Sequence, residues 1–327
     1  MAGGCVIGVD LGGTKLLAGV VDEALEVRHR AYRLGRGEET QEVIDHLCEV
    51  IAEVRDAAGE DASAIGLGVP CLVDRERGVA LSSNHLPLED VPIRDLVAER
   101  FDLPVFVDND GNAALLAEWR WGAAAGARNA VLLTLGTGIG GGILAEGALV
   151  RGGVGAAGEL GHMVIAMDGP PCPGSCPNRG CLEAYVSGAA LGREGLRVAH
   201  ERPDSALAGV LASGRRITGA LVTEVAHDGD PAARDVVATM GRCLGVGIAS
   251  YVNIFNPEVV VVGGGAIAAG ELLLGPAREV VMRRALPTSR GAVRVVSARF
   301  GAESGMLGAA ALAFEGLAAR GVPAGDG

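Results

Sequence analysis

A strand, a glycine turn and a returning strand occur twice in this chain, about 125 residues apart, and this duplication limits the folds open to it. The first copy takes residues 5–9, the turn Gly8-Val9-Asp10-Leu11-Gly12-Gly13-Thr14-Lys15 and the apolar run 16–21. The second takes residues 130–135, the run Gly136-Thr137-Gly138-Ile139-Gly140-Gly141-Gly142, and then Ile143 and Leu144. Apolar runs bounded by glycine read as buried strands joined by tight reversals. A turn without side chains lets backbone N–H groups approach phosphate oxygens, and Thr14 adds a hydroxyl donor. Asp10, at a strand end, can hold a hydrated Mg²⁺. Either copy alone is compatible with an ordinary hairpin. Their repetition points to duplicated lobes facing one cleft, each holding part of a nucleotide's phosphates.

A third corner, Gly263-Gly264-Gly265-Ala266, follows the all-apolar run 259–262 and is suited to pack against a nucleobase and ribose. No G-x-G-x-x-G opens a helix with an acid about twenty residues on, and the Walker sequence is absent. Phosphates are therefore expected on hairpin turns and not at a βαβ helix N-terminus.

The layout agrees with two α/β lobes in a chain of 327 residues, 49% of them hydrophobic. Strands are expected at 5–9, 16–21 and 26–33, then a helix over 41–58. Its Val43, Ile44, Leu47, Val50, Ile51 and Val54 share one face. Further strands fall at 65–69 and 105–107. A helical region covers about 184–250, and Asp230-Pro231 starts a long segment ending near Asn256. The last helix, about 303–319, is long enough to cross back onto the first lobe. The expected division is a small lobe of 1–112 completed by about 302–320, a large lobe of 113–301, and a disordered tail of 321–327.

Between Glu159 and Glu183 lie His162, Cys172, Cys176 and Cys181, three of seven cysteines beside one of six histidines. Zn²⁺ prefers tetrahedral nitrogen and thiolate ligands, so a Cys₃His set this close can close around the ion as structural zinc sites do. The prolines and glycines between them favour tight turns that let near-neighbour ligands converge. The remaining cysteines, Cys5, Cys48, Cys71 and Cys243, read as ordinary buried small residues.

The segment Val107-Asp108-Asn109-Asp110 ends a strand and opens a helix running through Trp119. Polar groups at a strand's carboxyl end stand where open α/β sheets place ligands. Asp108 or Asp110 can simply cap the helix. A carboxylate there can also accept the proton of an attacking hydroxyl, and the flanking phosphate turns favour that reading.

GVDLGGTK, GVPCLVD at 68–74, SSNHLP at 82–87, DNDGNAALLAE, LGTGIGGGI, GELGHM and the cysteine run ending in GCLE together resemble the ROK family, most strongly its glucokinases, from residue 6 to about 310. The resemblance implies an actin/hexokinase-like (ribonuclease H-like) duplicated two-lobe fold with a central cleft. It also implies Mg²⁺-ATP as donor and transfer of the γ-phosphate to a hexose 6-hydroxyl, with glucose the expected hexose. By the same resemblance Asp110 is the general base, and Asn84, Asn109, Glu159, His162 and Glu183 bind the sugar hydroxyls. Asp10, Gly12, Gly13, Thr14, Lys15, Gly136, Thr137, Gly138, Gly264 and Gly265 serve ATP, and the assembly is a homodimer or homotetramer. Three residues separate Cys172 from Cys176 where the family commonly has one; Gly111 replaces a frequent alanine and Cys71 a frequent glycine. Related kinases for mannose, fructose, N-acetylglucosamine or N-acetylmannosamine share these motifs, and polyphosphate can serve as donor in some.

A sugar-sensing repressor of the family carries a DNA-binding module before the first strand. With that strand at Cys5 no such module is expected here, and a net charge of −12 argues against nucleic-acid or anionic-membrane surfaces. No signal peptide is expected, because Asp10 lies early and no basic n-region precedes it. The charge-free run 129–145 is glycine-broken and short for a bilayer. The chain is expected to be cytoplasmic.

Overall fold

The computed structural model describes residues 4–12, 15–35, 37–59, 62–83 and 86–321. The chain divides into two units, one of Met1–Gly126, Leu149–Gly158 and Glu303–Gly327, the other of Ala127–Ala148 and Glu159–Ala302. Among the described residues no helix is long and apolar enough to cross a membrane.

In the first unit, β1 (Cys5–Leu11), β2 (Lys15–Asp22) and β3 (Val27–Leu34) form an antiparallel meander. Helix α1 (Thr40–Ala58) leads to β4 (Ala62–Val69), which lies parallel to β1 on its other side. The expected stripe of α1 is buried at all six positions, in one core with Ile7, Val9 and Leu67. The short strands β5 (Leu72–Asp74), β6 (Val79–Ser82) and β7 (Glu89–Val91) make a separate antiparallel sheet. Helix α2 (Ile93–Phe101) then leads to β8 (Val105–Asn109), parallel to β4, and α3 (Asp110–Trp121) follows at once. The main sheet has the order β3-β2-β1-β4-β8.

The second unit repeats that plan. β9 (Ala130–Leu135) and β10 (Ile139–Ala145) are antiparallel, and β11 (Ala148–Leu149) adds an edge. Four helices follow, α4 (Gly188–Glu201), α5 (Ala206–Ala212), α6 (Gly219–His227) and α7 (Pro231–Phe255), so the helical region expected at 184–250 is broken into separate rods. The side chain of Asp230 accepts from the Ala233 N–H at 2.7 Å, Pro231 opens α7, and Asn256 ends it in the left-handed conformation at φ 46°. β12 (Val259–Gly263) lies parallel to β9. Helices α8 (Glu271–Arg284) and α9 (Pro287–Ala292) then lead to β13 (Arg294–Ser297), parallel to β12. The order β11-β10-β9-β12-β13 reproduces the first sheet's sequence of a meander followed by parallel strands.

The last helix, α10 (Ser304–Ala319), belongs to the first unit and sits unusually close to its neighbours. A Cβ on Gly8 of β1 would stand 2.2 Å from the Met306 carbonyl oxygen, and one on Gly66 of β4 1.8 Å from that of Ala309. From its other side, a Cβ on Gly308 would stand 1.6 Å from the Ala113 carbonyl oxygen of α3. Backbones approach this closely only where side chains are missing. The alanine-rich run Ala309–Ala313 is buried in that space.

Two expectations are corrected. The reversal after β9 is confined to Gly136–Gly138; Gly140, Gly141 and Gly142 lie within β10, paired with Thr134, Leu133 and Leu132. A Cβ at Gly140 would meet Thr134 Oγ1 at 2.5 Å, so a cross-strand neighbour accounts for that glycine. The boundary expected after residue 112 falls inside α3. The first unit continues to Gly126 because α3 packs on α10 and β4, and it also takes Leu149–Gly158. Of the tail expected at 321–327, all but Gly321 lies outside the described residues.

Candidate active site

In the first unit the turn after β1 closes with the Gly12 N–H donating to the Lys15 carbonyl at 2.8 Å. Gly13 and Thr14 lie outside the described residues, as does Asn84. Asp10, next to last in β1, sets its carboxyl against the first turn of α10, where a Cβ on Gly305 would stand 2.5 Å from Asp10 Cγ. Desolvation there pushes the Asp10 carboxyl from its ordinary 3.8 up to about 6, opposed by the charge of Lys15. The folded state thus holds this proton more tightly than the unfolded chain. The associated stability is fully present below about pH 4 and is lost as pH rises through about 6. Asp10→Asn is therefore expected to stabilise the protein at pH 8 by at most about 3 kcal/mol, and by only about a third of that at pH 4.5. Urea melts at both values check this, and an equal gain at both overturns it.

Asn109 is the N-cap of α3: its side-chain oxygen accepts from the N–H groups of Gly111 at 2.9 Å and Asn112 at 3.3 Å, and its Nδ2 donates to the Cys71 carbonyl at 3.3 Å. Neither aspartate is the capping residue. Asp110 occupies the first helical position and accepts from the Gly111 N–H at 2.8 Å. Asp108, 3% exposed, is fully engaged elsewhere. Its Oδ1 accepts from the Asn109 N–H at 2.9 Å and from Asn112 Nδ2 at 3.1 Å. Its Oδ2 accepts from Arg151 Nε at 2.8 Å and lies 3.5 Å from Arg75 Nε. Desolvation, and then the charge of Arg151, lowers the Arg75 guanidinium pKa from its ordinary value. These two arginines, which brace the strand end that presents Asp110, escaped the sequence reading. The signal available was a basic residue opening the glycine-rich segment Arg151-Gly152-Gly153.

In the second unit two glycine corners meet at the carboxyl ends of the adjacent parallel strands β9 and β12, the place where open sheets put ligands. The Gly136 N–H donates to the Gly138 carbonyl at 2.9 Å, and Gly136's own carbonyl accepts from the Gly188 N–H at 2.8 Å. Gly264, at φ 80°, approaches Leu135 so closely that a Cβ would stand 2.5 Å from its nitrogen. Gly136, Thr137, Gly138, Gly264 and Gly265 are thereby brought together.

The four metal candidates also converge. The ligand atoms of His162, Cys172, Cys176 and Cys181 all lie within 4.8 Å of one another, with Cys172 Sγ 3.4 Å from His162 Nδ1. Thiolates held tetrahedrally at about 2.3 Å from zinc stand about 3.8 Å apart, so the set fits the ion, and the three-residue gap after Cys172 is no obstacle. Burial raises the Cys172 thiol, and neighbouring Cys181 and Cys176 raise it further. A divalent cation supplies the charge that lets crowded thiols ionise together. His162 turns its other nitrogen, Nε2, toward Glu159, 3.7 Å from Oε2. Glu183 is 6% exposed, and its Oε2 accepts from the Ile139 N–H at 2.6 Å.

The model of the ROK family matches residues 6–315. A glucokinase of Thermotoga maritima is 40% identical over 310 residues, covering 94% of this chain and 96% of the relative. A xylose repressor of Caldicellulosiruptor bescii is 32% identical over 86% of this chain and 71% of the repressor. The crystal structure of a ROK family glucokinase from Streptomyces griseus in complex with glucose and AMPPNP superposes with a TM-score of 0.87 at 36% identity, covering 95% of this chain and all of that one. The two duplicated sheets accordingly belong to the actin/hexokinase-like α/β fold.

Proposed function

Since the chain belongs to the ROK family, we propose that it is an ATP-dependent hexose 6-kinase whose preferred acceptor is glucose. The observation that carries this reading is the division of labour at the start of α3. Asn109 caps the helix, Asp108 is held by Arg151, and Asp110 stands beside them at the first helical position, in a chain 36% identical to a kinase crystallised with glucose and a nucleotide.

Phosphoryl transfer needs little covalent help; it needs the hydroxyl and the phosphorus in line and the developing charge neutralised. Asp110 orients the sugar 6-hydroxyl and accepts its proton as the oxygen attacks the γ-phosphorus. Asn84, Asn109, Glu159, His162 Nε2 and Glu183 take the remaining hydroxyls. Asp10, Gly12, Gly13, Thr14 and Lys15 in the first unit, and Gly136, Thr137, Gly138, Gly264 and Gly265 in the second, serve the nucleotide. Magnesium, bound with ATP, neutralises charge on the phosphate oxygens. His162, Cys172, Cys176 and Cys181 would hold a structural zinc, which would fix the orientation of the imidazole that faces the sugar.

The test is ADP release by the purified protein with Mg-ATP and, separately, glucose, mannose, fructose, N-acetylglucosamine and N-acetylmannosamine. Turnover highest with glucose is the expected result. Turnover confined to an N-acetyl sugar keeps the kinase and overturns the substrate. The similarity to a xylose repressor supports a second reading, a sugar sensor without catalysis. Sugar binding without ADP release, with polyphosphate also inactive as donor, establishes that reading instead.

A further inference from the structure

The second unit joins the metal loop to the glycine turn through one buried carboxylate. Cys181 opens the short 3₁₀ turn Leu182–Ala184, which places Glu183 two residues from a metal candidate. The Glu183 carboxylate takes the backbone N–H of Ile139, the first residue after the turn Gly136–Gly138. It lies so tightly against that turn that a Cβ on Gly138 would stand 2.4 Å from its Oε2. Farther along the same segment, the Gly188 N–H holds the Gly136 carbonyl. The segment 181–188 therefore grips the turn at both ends.

The other side of the metal set presses on the same residue. Gly161, next to His162, approaches Ile139 so closely that a Cβ would stand 2.8 Å from Ile139 Cβ and 3.5 Å from Glu183 Oε2. Between these flanks the loop has no helix or strand, and its two sides are joined by backbone bonds such as Ile165 N–H to the Gly180 carbonyl, Cys172 N–H to the Asn178 carbonyl, Gly180 N–H to the Pro170 carbonyl and Leu182 N–H to the Met163 carbonyl. A metal held by His162, Cys172, Cys176 and Cys181 would tie that loop to both flanks of the turn.

We infer that Glu183 is a positioning residue for the Gly136–Gly138 turn, and that occupancy of the His162/Cys172/Cys176/Cys181 cluster sets the protein's affinity for a nucleoside polyphosphate as well as for sugar. The inference rests on the reading above that this turn holds phosphate. Its logic separates charge from geometry. Glu183 has to keep an acceptor at the Ile139 N–H, but its negative charge beside a phosphate turn is unhelpful to the ligand. Glutamine preserves the acceptor and removes the charge; alanine removes both.

The experiment measures the dissociation constant of ADP by calorimetry without sugar, and that of glucose without nucleotide, on the full chain. Zinc content and melting temperature are recorded for each sample. Wild type is compared with and without chelator, beside Glu183→Ala and Glu183→Gln. Chelation and Glu183→Ala are each expected to weaken ADP about tenfold, the effect of losing a buried charge-assisted bond. Glu183→Gln should stay within about twofold of wild type, and chelating the alanine variant should add little, because the two changes act through one contact. ADP affinity unchanged by chelation and by Glu183→Ala, with glucose affinity alone reduced, overturns the inference and leaves the kinase reading intact. No ADP binding by zinc-loaded wild type overturns the phosphate reading of the turn and the inference with it. If chelation unfolds the chain, the comparison of the two zinc-loaded Glu183 variants decides alone, equal loss of ADP affinity in both being the overturning result.

Discussion

Asp110→Asn is expected to lower kcat by about 10² to 10⁴ while leaving glucose binding within a few-fold of wild type, the range removed with a general base. The variant should fold normally. Asn109 supplies the cap of α3, and the bond that Asp110 accepts from the Gly111 N–H can be made by the asparagine oxygen as well. What disappears is the ability to take a proton from the hydroxyl as it attacks. Steady-state kinetics with calorimetric glucose binding separates the two effects. A variant with full turnover, or one that loses binding and turnover alike, shows that Asp110 is not the base. Asp108→Asn makes a useful contrast, because it leaves Arg151 beside a neutral amide and acts on Asp110 only through the strand end.

The second large effect concerns the fold. Gly308→Ala should destabilise the first unit by 4 kcal/mol or more, on the order reserved for severe core substitutions. The added methyl would overlap the Ala113 carbonyl oxygen, and that atom is backbone in the middle of α3, with no rotamer to relieve it. Separating α10 from α3 would in turn lift α10 off Gly8 and Gly66. Gly209→Ala is the matched control: this glycine sits on the exposed side of α5 with nothing within 4 Å of its would-be Cβ. There alanine should stabilise by up to about 1 kcal/mol. Denaturant melts of the two variants beside wild type give the answer, and equal behaviour would show that the close approach is not what places glycine at 308.

What the sequence made legible was whatever is written in neighbouring residues. The α1 stripe, the Asp230-Pro231 start of α7 and its end at Asn256 are local signals with local causes, and all three appear as read. The doubled strand, turn and strand pattern disclosed the duplicated sheets, because a side-chain-free reversal between apolar runs has few other uses. The convergence of the four metal candidates also followed from spacing, since a proline- and glycine-rich loop of that length has little choice. Individual long-range contacts stayed hidden. Nothing near Asp108 announces Arg151, and although the last helix was expected to return to the first lobe, nothing near Gly8 or Gly66 marks where it docks. The run Gly140–Gly142 misled for a related reason: glycine usually marks a turn, and here Gly140 makes room for Thr134 on the next strand. The transfer of Leu149–Gly158 to the first unit has no compositional mark at all.

The discontinuity of the first unit governs the order in which the protein can be made. Its sheet leaves the ribosome early, but α10, the helix that covers Gly8 and Gly66, is synthesised only after the whole of the second unit. About 180 residues separate the end of α3 from the start of α10, which at 5–20 residues per second is a wait of roughly 10–40 s. During that interval the nascent chain carries one face of β1 and β4 unprotected, with glycine grooves shaped for a helix that does not yet exist. Chains stopped before residue 304 keep that face exposed permanently. Such products are expected to be captured by chaperones or cleared, so a premature stop before residue 304 should remove the protein from the cell and not leave a shortened, partly working form.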